Sequence, residues 1–146
     1  MPDAAASADD SAARARALDV GTSFLVQAPA GSGKTGLLIQ RVLALLATVE
    51  RPEQILAMTF TRKAAAEMRE RVLHALRDAR DELPVDAHDA HAVRTRALAR
   101  AALARDAAAD WQLVDNPSRL RMLTIDALAA ANLDEREFPD PERFDI

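Results

Sequence analysis

Apolar positions along this chain alternate between short continuous runs and helical stripes. Phe24, Leu25 and Val26 make Ser23 to Gln27 read as a strand, and Ile55 to Thr59 reads as a second, of the kind covered on both faces. Leu38, Val42, Leu45, Leu46 and Val49 recur at helical spacing, which predicts an amphipathic helix from Lys34 to about Thr48, with Pro52 closing the connection. Ala65, Met68, Val72, Leu76, Ala79 and Leu83 form a similar stripe, predicting a helix from Ala64 to Leu83 that Pro84 ends. On it, Glu67–Arg71 and Arg77–Asp81 stand at i,i+4 spacing, each worth about 0.3 kcal/mol.

The flanks are weaker in pattern. Residues 1 to 9 read as a disordered lead-in, and Asp10 to Leu18 as a short helix capped by Asp10 or Ser11 and broken by Gly21 and Thr22. Residues 86 to 109 are rich in Ala and Arg, with high helix propensity but only Val93, Leu98 and Leu103 as large anchors. Asn116-Pro117-Ser118 marks a turn, Leu120 to Thr124 a third short strand, and Ile125 to Ala131 the start of a helix. Strand, loop, helix and strand in this order form a right-handed βαβ unit. The expected fold class is therefore α/β, a parallel sheet with flanking helices.

Composition narrows the chemistry. At 146 residues, 49% apolar but with much of that alanine, the chain suits one modest domain with a thin core. A net charge of −4 argues against a broad basic face for duplex phosphates, so any nucleic-acid contact should be local. Without cysteine there is no disulfide, thiolate metal site or cysteine-ligated haem. No signal-peptide pattern and no membrane-length apolar run is present, which suggests a soluble, cytoplasmic protein. His74, His88 and His91 lack partners at ligand spacing and read as surface residues. Arg94, Arg96, Arg100 and Arg105 read as a solvated helical face, although they could touch phosphates.

Two segments carry candidate chemistry. Ala28-Pro29-Ala30-Gly31-Ser32-Gly33-Lys34-Thr35 follows the first strand and opens the first long helix. Gly31 and Gly33 let the backbone curl with its N–H groups toward phosphate oxygens, and the helix adds its positive end there. Lys34 supplies a mobile charge for β/γ-phosphates, and the Thr35 hydroxyl suits a Mg²⁺ ligand. ATP and Mg²⁺ are the expected cofactors, held on residues 28 to 35. The second segment, Thr59-Phe60-Thr61-Arg62-Lys63, lies at the carboxyl end of the second strand, where open α/β sheets bind ligands. It offers a ring for base stacking beside hydroxyls and cations for backbone phosphates, which suits single-stranded nucleic acid. On chemistry alone, a core Phe followed by an ordinary helix cap is the favoured reading.

Together, Gln-Ala-Pro-Ala-Gly-Ser-Gly-Lys-Thr (27–35) and Thr-Phe-Thr-Arg-Lys-Ala-Ala-Ala-Glu-Met-Arg (59–69) resemble the amino-terminal part of superfamily-one DNA helicases of the UvrD/RecB type, most of all the RecB- and AddA-like ones. The family's first motif has Ala where Ala28 stands. Its next motif commonly has Asn where this chain has Arg62. Thr124-Ile125-Asp126-Ala127-Leu128 matches a family element that contacts single-stranded DNA, with Asp126 and Ala127 in place of His and Ser. The adenine-reading Gln of the family has no counterpart near Arg14 to Ala17.

The resemblance covers residues 10 to 130 and implies an incomplete P-loop NTPase (RecA-like) domain with a helical insertion. It implies ATP-driven translocation on single-stranded DNA in repair or recombination, with contacts through Phe60, Thr61, Arg62, Lys63 and Thr124. It also admits, as partner, the second subunit of a helicase–nuclease. The acidic Walker B pair and the second RecA-like domain such a motor needs cannot be placed; Asp134-Glu135 reads as a solvated loop. Residues 131 to 146 instead resemble a stretch of haem-thiolate monooxygenases, with Leu133 in place of Arg, and suggest a junction near residue 131; without a cysteine no haem chemistry follows. The isolated chain is expected to be inactive in turnover. A P-loop small-molecule kinase and a poorly folding remnant are the alternatives.

Overall fold

A computed structural model describes residues 12–25 and 34–130. Residues 1–11, the loop segment 26–33 and the tail 131–146 lie outside the described residues, and with them the expected lead-in, most of the phosphate loop and the expected junction. A short helix at 12–17 (α1) precedes α2 (Lys34–Leu46), β1 (Leu56–Thr59), α3 (Arg62–Arg80), α4 (Ala90–Ala109), β2 (Arg121–Thr124) and α5 (Ile125–Ala130).

β1 and β2 pair in parallel, Leu56 opposite Arg121 and Thr59 opposite Thr124. A parallel pair needs a long crossover, which α3 and α4 supply. This two-stranded sheet is the only one among the described residues, so the fuller RecA-like sheet is not seen there. The strand expected at Ser23–Gln27 is not part of it. Ser23 to Leu25 carry no regular structure, and Val26 and Gln27 are not described.

The approach to that segment is tied to α2. Arg41 donates from Nη1 to the Ala17 and Asp19 carbonyls (2.6 and 3.2 Å) and from Nη2 to the Thr22 carbonyl (3.0 Å). Its guanidinium also stands 5.8 Å from the Phe24 ring centre, a cation–π distance.

The core lies between α2, α3 and α4. Leu43 and Leu46 of α2 meet Val72, Leu73 and Leu76 of α3, with Trp111, Leu113 and Met122 completing the cluster. α4 enters through Ala99 and Ala102 rather than through Val93, because small residues let its backbone approach closely. Trp111 donates from Nε1 to the Glu50 carbonyl (3.1 Å), and Asp106 accepts from the N–H groups of Gln112 and Leu113.

The i,i+4 pairs expected on α3 do not form as drawn. Arg77 reaches Glu70 (2.9 Å) instead of Asp81, Arg80 takes Asp81 (3.0 Å), and Glu67 meets Lys63 (3.9 Å). α2 is apolar on two sides. Ile39, Val42, Leu43 and Leu46 join the core, while Leu38 and Leu45, with Val49 just past the helix, line a groove of about 950 Å³ toward β1 and Met68. That groove is why Leu38 stays 45% exposed.

Candidate nucleotide and nucleic-acid site

The sheet register decides what meets at its carboxyl edge. Because Thr59 pairs with Thr124, Phe60 and Ile125 leave the sheet from adjacent strands. Phe60 is 90% exposed, which removes the core-Phe reading, and Ile125 is exposed beside it. Sequence reasoning names Phe60 and passes over Ile125; the signal is its place directly after Thr124.

Helix α3 begins at this edge. Thr61 is its N-cap, its hydroxyl accepting from the Ala64 N–H (3.1 Å), while the Thr59 hydroxyl donates to the Thr61 carbonyl (2.9 Å). The Thr61 hydroxyl thus caps the helix with its oxygen and keeps its own proton for an outside acceptor. Arg62 and Lys63 stand exposed in the first turn. The Lys63–Glu67 pair at 3.9 Å is open to solvent and holds Lys63 only weakly.

Thr124 behaves differently. It is 7% exposed, and its hydroxyl accepts from the Ala127 N–H (3.0 Å), so it starts α5 rather than facing outward. Arg69 fastens α3 to β2 by donating from Nη2 to the Met122 carbonyl (3.0 Å), which holds the two exits side by side.

Of the phosphate-loop residues, Lys34 and Thr35 are described. They are the first two described residues of α2, both exposed. Ala28 to Gly33 lie outside the described residues. Behind Thr35, Gly36 is buried against the imidazole of His91.

The cationic face expected on α4 is partly taken up by the fold. Arg96 donates to the Leu83 carbonyl (2.6 Å), and Arg105 to the Val49 carbonyl (2.8 Å) while lying 5.9 Å from the Trp111 ring centre. Among the described residues no three His, Asp or Glu gather to hold a metal, and no helix is long and apolar enough to cross a membrane.

A family model described as the UvrD/REP helicase N-terminal domain matches residues 9–144. DNA helicase II of Escherichia coli (strain K12) is 38% identical over 120 residues, which cover 81% of this chain and 16% of that protein. One subunit of the ATP-dependent helicase/nuclease of Levilactobacillus brevis is 58% identical over 57 residues, 39% of this chain and 4% of that protein. Its counterpart in Desulforamulus reducens is 48% identical over 66 residues, 43% of this chain and 5% of that protein. The chain thus spans no more than 16% of the length of these relatives. No solved structure matches it.

Proposed function

The chain belongs to the family of UvrD/REP helicase N-terminal domains, and from that premise we propose that it is the nucleotide-binding portion of an ATP-dependent DNA helicase. Residues 28 to 35 wrap the triphosphate, with Lys34 on the β/γ-phosphates and the Thr35 hydroxyl as one ligand of Mg²⁺. The metal supplies charge neutralisation at the phosphates; the exposed first turn of α2 leaves both side chains open to do their part. Single-stranded DNA crosses the carboxyl edge, a base stacking on Phe60 and backbone phosphates meeting Thr61, Arg62 and Lys63. Thr124 serves that edge from beneath, setting the exit of α5.

The observation that carries the DNA reading is the 90% exposure of Phe60 directly between a paired strand and two exposed cations. A phosphoacceptor pocket for a small-molecule kinase has no such need for an apolar ring in water. Residues 10 to 130 form the helicase portion and 131 to 146 a separate tail. The whole helicase acts in the cytoplasm on DNA under repair or recombination, and its partner is the second subunit of a helicase–nuclease. This portion alone binds without turning over.

Titration with a fluorescent ATP analogue and Mg²⁺ should show saturable binding that Lys34→Ala abolishes; equal binding by both proteins rejects the nucleotide site. Phe60→Ala should weaken oligo-dT binding about tenfold, since stacking one base is worth about 1–3 kcal/mol. Its nucleotide affinity should not change. An unchanged oligo-dT affinity removes Phe60 from the DNA path.

A further inference from the structure

We propose that the two chain exits at the carboxyl edge divide the handling of single-stranded DNA: Phe60 and Ile125 form one apolar platform for a base, while Asp126 turns the phosphate chain away from α5 and toward Arg62 and Lys63. The proposal deepens the DNA reading above and rests on it. Thr59 and Thr124 are partners in a parallel ladder, so Phe60 and Ile125 each lie one step beyond a matched pair. Paired positions on neighbouring strands share a face and sit about 5 Å apart. The two side chains therefore start from adjacent points of one rim.

Both are open to solvent, Phe60 at 90% and Ile125 at 47% exposure, and the core cluster contains neither. A base has a π-face for the Phe60 ring, and the branched Ile125 side chain extends that contact at its margin. The cations beside the ring say what occupies the platform. An apolar peptide has no use for Arg62 and Lys63, exposed in the first turn of α3, whereas a nucleotide brings a phosphate for them with each base.

Charge around the platform is one-sided. On the β1 exit Arg62 and Lys63 face water, and Glu67 meets Lys63 only at 3.9 Å in a pair open to solvent. On the β2 exit the exposed charge is Asp126, in the first turn of α5. The Ala127 N–H in that turn is already taken by the Thr124 hydroxyl (3.0 Å), so it does not offset the carboxylate toward an incoming anion. A phosphate thus meets two cations on one exit and a like charge on the other. Coulomb repulsion sets the backbone on the α3 side and leaves the base to lie toward Ile125.

Binding of the whole 146-residue chain to oligo-dT and to an abasic oligonucleotide of equal length tests both halves. Ile125→Ala should weaken oligo-dT binding about threefold and leave abasic binding unchanged, because only a base touches the platform. Beside Phe60→Ala the same substitution should cost less than about 1.5-fold, as coupled neighbours require. Equal losses on both oligonucleotides, or no loss on oligo-dT, overturn the proposal. Asp126→Arg should tighten oligo-dT binding and steepen the fall of log affinity with log salt by about 0.7, the increment for one added phosphate contact on a single strand. Asp115→Arg makes the same change in net charge before β2, at the far end of the sheet, and should leave the slope as it is. An unchanged slope in Asp126→Arg, or an equal change in both variants, overturns the proposal even where Ile125→Ala fails to fold. Wild-type protein that binds no oligo-dT, or Phe60→Ala protein that binds it as tightly as the wild type, sinks the DNA reading and this one with it. A loss in Phe60→Ala beside unchanged Ile125→Ala and Asp126→Arg proteins sinks this one alone.

Discussion

Leu76, in the middle of α3, is fully buried, whereas Phe60, just before the same helix, is 90% exposed. Both are large apolar side chains placed by one strand–helix exit, yet they serve opposite ends. Leu76 sits where α2, α3 and α4 converge on Trp111 and Leu113. Phe60 stands where the sheet register and the Thr61 cap leave no neighbour to cover it. The helical side thus commits its hydrophobic surface to folding, and the sheet edge leaves its own in water.

The difference can be broken most severely at Leu76. Leu76→Ala opens a cavity among fully buried residues and should destabilise the chain by about 3 kcal/mol, read as a lowered urea midpoint. A cost below about 1 kcal/mol would mean the helical side is not the stabilising half.

An intermediate effect belongs to the Glu53–Arg119 pair, which joins the turn after α2 to the turn before β2 at 2.7 Å. The bond from Arg119 holds the Glu53 carboxyl below its ordinary value. A depressed carboxyl gives stability that is complete above the ordinary 4.5 and is lost as the pH falls through its lower folded value. Both side chains are about a third exposed, so the loss should be no more than about 1 kcal/mol. Denaturant midpoints in acid should show that extra loss in the wild type and not in Glu53→Gln. Identical acid profiles would remove the pair from the account.

The smallest change is expected at Phe60. Phe60→Ala should shift stability by less than about 0.5 kcal/mol, because an exposed ring gives up little on truncation. A cost near that of Leu76→Ala would place the ring in the core after all.

Elements with one apolar face are legible in the sequence. Ala65, Met68, Val72, Leu76 and Ala79 are all buried, as their 3.6-residue spacing requires. Leu83 fits the same stripe but fails, because α3 stops at Arg80 and Glu82 turns left-handed (φ 54°). The Leu83 N–H then bonds back to the Asp78 carbonyl, and its side chain is exposed.

Periodicity cannot separate the two apolar sides of α2, so spacing alone puts Leu38 on a buried face. On α4, the anchors Leu98 and Leu103 do pack against the core and Val93 does not, while the fully buried positions are the small Ala99 and Ala102. At the site, the position of Phe60 is readable from the order of strand, aromatic and cap. The burial of Thr124 is not, since it depends on capping α5. Nor is the meeting of Gly36 with His91, because helices distant in sequence bring them together.

The pairing of Leu56 with Arg121 has a kinetic consequence. That ladder closes a long segment containing α3 and α4, so ring-closure entropy is lost before any strand contact offsets it. Docking of the helices first would shorten that search, so the carboxyl edge, Phe60 and Ile125 included, is expected to form after α3 and α4 dock, and variants that slow their docking should delay it in step.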